Sequence, residues 1–229
     1  MIAGATLAAV TISGCGGKVP TQEEIRQDNI DSRAAQLVRV GDTTREAGDL
    51  ANAMQLYRRA ADMRADWALP FYRFGETALS AGLYEEALAA YDRAAEIEPQ
   101  NNRGYNGAGI ALDLLGRHGE AQSRYVTGME HTPDSVPLRN NLGLSLALAG
   151  DLEEAVSWLE AVADRDDANV RTRQNLALVY GLSGNEEGAR RAGLEDLSAA
   201  EVENNLAFYA RLRQMPPERR TKAIFGALQ

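Results

Sequence analysis

One cysteine and two histidines among 229 residues leave no disulfide within the chain and no His/Cys set for a zinc ion. Breakers are scarce, with 7 Pro and 21 Gly, while Ala and Leu are plentiful. That excludes collagen-like, low-complexity and disordered classes. Cations are outnumbered, 24 Lys plus Arg against 33 Asp plus Glu, for a net charge of −9. The clustered positive charge that nucleic acid or an anionic lipid surface demands is missing. There is no Gly-x-x-x-x-Gly-Lys-Ser/Thr phosphate loop and no Gly-x-Ser-x-Gly nucleophile elbow. His118 and His131 stand in polar context with no further ligand nearby and read as exposed helix-end residues. No acid, base, nucleophile and metal set can be assembled, so neither catalysis, a cofactor, a metal nor a small-molecule substrate is expected.

What is present begins with an uncharged stretch. Residues 1–14 (MIAGATLAAVTISG) carry no charged side chain. The apolar run Ile2 to Ile12 is shorter than the roughly 20 residues that span a bilayer and has the length of a signal-peptide core. It ends in Ile12-Ser13-Gly14-Cys15, which resembles the lipobox of bacterial lipoproteins. The resemblance implies that residues 1–14 are removed and that Cys15 receives a diacylglycerol and an acylated amino group. Each buried CH₂ then contributes about 0.8 kcal/mol to anchoring. Gly16-Gly17-Lys18 carries no Asp of the inner-membrane retention type, which implies the outer membrane, facing the periplasm. No Lys or Arg precedes the run, so an upstream start and a buried N-terminal helix with a chance cysteine remain alternatives.

The rest of the chain repeats every 34 residues. Gly48, Gly82, Gly116, Gly150 and Gly184 keep that spacing, and so do Ala53, Ala87, Ala121, Ala155 and Ala189. Gly41, Gly75, Gly109 and Gly143 hold a third register, with Ala177 in the fifth place. The period and residues resemble the tetratricopeptide repeat, clearest in Phe74-Gly75, Gly82, Tyr84, Ala87, Tyr91, Ala94 and Pro99. The expected fold is all-α: a right-handed α-solenoid of about five repeats, 34–67, 68–101, 102–135, 136–169 and an eroded 170–203, with a C-terminal capping helix over 198–215. Each repeat is a pair of antiparallel helices, A and B. The first glycine lets helix B approach helix A, with the small Ala as its partner. The second glycine ends helix A in a left-handed residue. Thr21 with Glu24, and Ser198 with Glu201, have capping-box spacing. A lead-in helix is expected over 22–31, with residues 15–33 as linker and lead-in, and 216–229 reads as a loose tail.

In the tetratricopeptide fold the A helices line the concave face. On that pattern the partner-binding groove falls to Arg73, Arg103, Asn106, Asn140, Asn141, Arg171, Gln174 and Asn175. Amides donate and accept, so a ladder of them suits a peptide backbone of any sequence. The arginines suit carboxylates of a partner. Tyr72, Ile110, Leu144 and Leu178 add the apolar share expected for capture of a helix or strand. A plain solvated helix face is the competing reading of the asparagines.

The C-terminal third narrows the field. Asn175-Leu176-Ala177-Leu178, Gly181-Leu182, Asp196-Leu197-Ser198, Asn204-Asn205-Leu206 and Tyr209 resemble the end of the TadD-like tetratricopeptide lipoproteins of tight-adherence (Tad/Flp) pilus systems. The resemblance implies a pilotin-like, non-catalytic adaptor whose partner is the pilus secretin or another envelope component of that system. Another envelope-assembly adaptor and a soluble regulatory scaffold are the alternatives.

Overall fold

The computed structural model describes residues 21–227, the side chain of Ala227 excepted. Cys15 and the whole segment 1–14 lie outside the described residues. The order is α1 (Gln22–Glu46), α2 (Leu50–Met63), α3 (Ala68–Ser80), α4 (Tyr84–Ile97), α5 (Asn102–Leu114) and α6 (His118–His131). It continues with α7 (Val136–Ala149), α8 (Leu152–Ala163), α9 (Val170–Ser183), α10 (Glu186–Leu194), α11 (Ala199–Gln214) and α12 (Pro217–Ala227). No strand occurs among the described residues.

Glycine chemistry sets the hairpins. Gly48, Gly82, Gly116, Gly150 and Gly184 all have positive φ, between 75° and 102°. After each, the next residue donates its N–H to the carbonyl five positions back, as Leu83 does to Ala78 (2.8 Å) and Arg117 to Leu112 (2.9 Å). This pattern closes the last carbonyls of each A helix and reverses the chain. A Cβ on Gly116 would meet nothing within 4 Å. Gly116→Ala should therefore cost about 1 kcal/mol, from left-handed backbone strain alone, read as a shift of the urea midpoint. An unchanged midpoint would mean that the turn relaxes freely.

The odd-numbered helices from α1 to α11 touch one another along an inner layer, while the even-numbered helices α2 to α10 each pack on their sequence neighbours. The inner layer thus forms the concave wall. Gly41, Gly75, Gly109 and Gly143 are the contact points of each pair, but their partner is not the small Ala. A Cβ built on them would fall 2.5 Å from Tyr57, 2.8 Å from Tyr91, 2.2 Å from Tyr125 and 2.5 Å from Leu159. The side chain sixteen residues on lies flat against the missing Cβ, while the register alanines are buried elsewhere between the helices. In the fifth repeat Gly193 occupies the ring position, and α10 ends one residue later after only 9 residues. The close approach moves one turn along α9 to Gly181, and the ring comes from Tyr209 of α11, 2.3 Å from the built Cβ.

Two expectations are corrected. The lead-in does not stand apart: α1 runs unbroken for 25 residues, because nothing in Asp31-Ser32-Arg33-Ala34 interrupts a helix. Residues 217–227 are not a loose tail but α12. Pro217 suits a first helical turn, where its missing N–H is not needed. Thr221, Ile224 and Phe225 form one buried stripe that gives the helix something to pack on. Both expected capping boxes are closed, at Thr21 and Ser198.

Candidate functional site

The inner wall divides in two. Toward the N-terminus, Arg103 of α5 lies over the ring of Tyr72, 4.7 Å from its centroid, and pairs with Glu76. Arg73 of α3 places Nε 3.1 Å from Asp42 and a terminal nitrogen 3.3 Å from Glu76. Asp42 also accepts from the Tyr57 hydroxyl at 2.9 Å. These arginines are therefore not waiting for a partner's carboxylates. Acids spaced 34 residues apart, Asp42 and Glu76, already hold them in a ladder across α1, α3 and α5. That period was visible in the sequence and was missed because acids on a helix read as solvated surface.

Toward the middle, the amides sort themselves by depth. Asn141 of α7 donates to the Oδ1 of Asn106 on α5 at 2.8 Å, and both are only partly buried. Asn140 is 1% exposed and donates to Thr172 Oγ1 at 3.2 Å. Asn175 is likewise 1% exposed. The Oδ1 of Asn140 and both amide atoms of Asn175 are shut from solvent with no hydrogen-bond partner. Asn106, Asn140, Asn141, Arg171 and Asn175 surround one cavity of about 170 Å³, closed in part by Ile110 and Phe225. Gln174 faces a neighbouring hollow with Leu178, Phe208, Tyr209 and Ile224. Thus five of the eight expected groove residues converge, Gln174 lies beside them, and Arg73 and Arg103 form a separate cluster. Leu144 and Leu178 are buried rather than presented to solvent.

The C-terminal end has a packing account of its own. Arg173 on α9 makes two 2.6 Å bonds to Asp196, whose carboxyl it holds below the usual range. Together with Gly181 against Tyr209, this pair seats α11 on α9 as a sixth inner helix.

A buried polar cluster went unforeseen. Asp113 of α5 is fully buried and lies 2.8 Å from His118 Nδ1, 2.9 Å from the donating Tyr125 hydroxyl and 2.7 Å from the donating Ser145 Oγ. Burial pushes its carboxyl above the usual range, against the pull of three hydrogen bonds and the nearby His118. His118 is accordingly no free surface residue, with only 16% of its side chain exposed. His131 stacks on Tyr105 at 5.5 Å. The one available signal was an Asp inside the apolar run Ala111-Leu112-Asp113-Leu114-Leu115. The cluster is a strut between α5, α6 and α7 and not a nucleophile device, because Ser145 turns its hydroxyl to Asp113 and to the His118 carbonyl instead of a ring nitrogen. Among the described residues no group of three or more His, Cys, Asp or Glu is placed to hold a metal ion. No helix among them is long and apolar enough to cross a membrane.

Comparison with known proteins agrees with the architecture. The tetratricopeptide-repeat family profile matches residues 72–125 and 123–170. No curated protein sequence matches significantly. Among solved structures, TTC0263, a thermophilic tetratricopeptide protein of Thermus thermophilus, is 22% identical with a TM-score of 0.60, over 77% of this chain and 98% of its own. MamA of Desulfovibrio magneticus RS-1 is 16% identical with a TM-score of 0.57, over 80% of this chain and 98% of its own. YrrB, a tetratricopeptide protein described as having an unusual peptide-binding site, is 20% identical with a TM-score of 0.56, over 84% of this chain and 97% of its own. With a 34-residue period, glycine-closed helix pairs and an inner layer of A helices, the chain has the tetratricopeptide-repeat solenoid fold, and its residues 72–170 match the family's own profile.

Proposed function

We propose that this protein is a non-catalytic adaptor that holds a segment of a partner protein against its inner wall while Cys15 anchors it to the outer membrane. The observation that carries the reading is the partly exposed Asn106–Asn141 pair at the rim of an amide-lined cavity. Paired amides trade one mutual bond for two bonds to a peptide backbone, whatever the partner's side chains. The peptide-binding description of YrrB, which shares the fold, supports capture of a polypeptide. The lipobox-like Ile12-Ser13-Gly14-Cys15 supports the anchor, and the TadD-like features from Asn175 to Tyr209 support a pilotin-like role toward the Tad/Flp secretin.

The test is made in piliated cells that carry the gene in variant form. Asn106→Ala with Asn141→Ala removes the exposed pair and leaves the buried Asn140 and its bond to Thr172 intact. It is expected to lower secretin multimers in the outer membrane severalfold while the protein stays folded and abundant. Cys15→Ser should release the protein from the membrane fraction and lower the multimers as well. Normal multimers and normal piliation in both variants would end the pilus reading.

A further inference from the structure

The groove already has an occupant. Helix α12 packs on α11 and on α5, the sixth and third inner helices, so it crosses the inner face past α7 and α9. Thr221, Ile224 and Phe225, spaced as one helical stripe, are 3%, 1% and 5% exposed, whereas Glu218, Arg219 and Lys222 face solvent. Ile224 lies in the hollow of Gln174 and Leu178, and Phe225 borders the amide cavity. Lys222 sits 5.7 Å from the ring centroid of Tyr84, at the head of α4. Part of the face that the repeat pattern reserves for a ligand is thus covered by the chain itself, with Gln174 and Leu178 sharing their hollow with Ile224, while the Asn106–Asn141 pair stays partly exposed.

The seating is incomplete. A cavity of about 170 Å³ remains beside Phe225, and the unpaired amide atoms of Asn140 and Asn175 are sealed there. Unpaired buried polar groups weigh against the closed state. The tether is light: Met215 is extended, and Arg220 donates to the carbonyls of Leu212 at 3.1 Å and Met215 at 3.2 Å. A helix of 11 residues does not persist alone in water, so undocking also unwinds it.

We propose that α12 is a displaceable self-ligand and that the partner replacing it is a short amphipathic helix of the same chemistry. That helix presents two adjacent large apolar residues and a cation two or three positions earlier, with a polar group that reaches the buried amides. The proposal rests on the inner wall being the ligand face, and not on the partner belonging to a pilus.

The probe is a fluorescein-labelled peptide of residues 216–227, followed by anisotropy against three full-length proteins. These are the native chain, Ile224→Asp with Phe225→Asp, and Arg220→Ala. Apparent affinity scales with the open fraction, so a groove about one-tenth open binds about tenfold more weakly than an open one. The doubly substituted chain should therefore bind the peptide at least about tenfold more tightly than the native chain, and Arg220→Ala should fall between them. A peptide carrying the two Asp changes should bind none of the three. Equal affinity for native and doubly substituted chains overturns the proposal, as does absence of binding when circular dichroism shows the helices intact. If the double change unfolds the solenoid, Arg220→Ala decides, and no gain over the native chain overturns it. Failure of the pilus reading leaves these peptide results untouched, so the two are told apart.

Discussion

Asp113→Ala should destabilise the protein by about 3 kcal/mol, measured by urea unfolding at neutral pH. It strips the acceptor from the fully buried Tyr125 hydroxyl and from Ser145, and each orphaned group costs about 1–3 kcal/mol. A loss under about 0.5 kcal/mol, the range of ordinary surface changes, would mean that the cluster is ornamental. The carboxyl also carries a pH signature. Its folded pKa lies above the ordinary value because burial penalises the charge. The folded state therefore holds the proton more tightly than the unfolded one. The resulting stability is fully present below the unfolded pKa of about 3.9 and is lost as pH rises through the raised value. Asp113→Asn cannot ionise, so its deficit relative to the native chain should shrink as pH rises across that window. A deficit that grows with pH would show that the three donors outweigh burial.

Gly109→Ala should cost about 2 kcal/mol net, because the clash it creates outweighs the gain in helix propensity. Replacing a mid-helix glycine by alanine is worth about 1 kcal/mol in the variant's favour. Against it, the new Cβ would stand 2.2 Å from Cε1 of Tyr125. That ring is fully buried, and Asp113 holds its hydroxyl, so it has nowhere to turn. Overpacking of this kind costs about 1–3 kcal/mol and more where neighbours cannot shift. The urea midpoint of Gly109→Ala with Tyr125→Ala checks the cause. If the clash is real, the double variant loses less than the two single losses added together. Simple additivity would place the effect elsewhere. The same exchange at Gly116 acts through φ alone, so the two glycine registers separate packing from backbone strain in one protein.

Much of the fold was legible because its signals are local. A left-handed turn needs glycine at that residue whatever surrounds it, so Gly48, Gly82, Gly116, Gly150 and Gly184 marked every hairpin. Ser198 and Glu201 close their own first turn. The 34-residue period follows from stacking equal units, so it carried the number of helix pairs and the A and B faces. What lay beyond those signals depends on which distant side chain arrives opposite. Asn140 and Asn141 are neighbours on one helix, yet one turns into the core toward Thr172 and the other out toward Asn106. Their difference is set by how α5 and α9 flank α7. Arg73 and Arg103 read as free cations until the stacking brought Asp42 and Glu76 beside them. Residues 217–227 had no period and no partner in the linear text. They became a helix because the curved inner wall offered Thr221, Ile224 and Phe225 an apolar surface, and no residue near them in sequence could have supplied it.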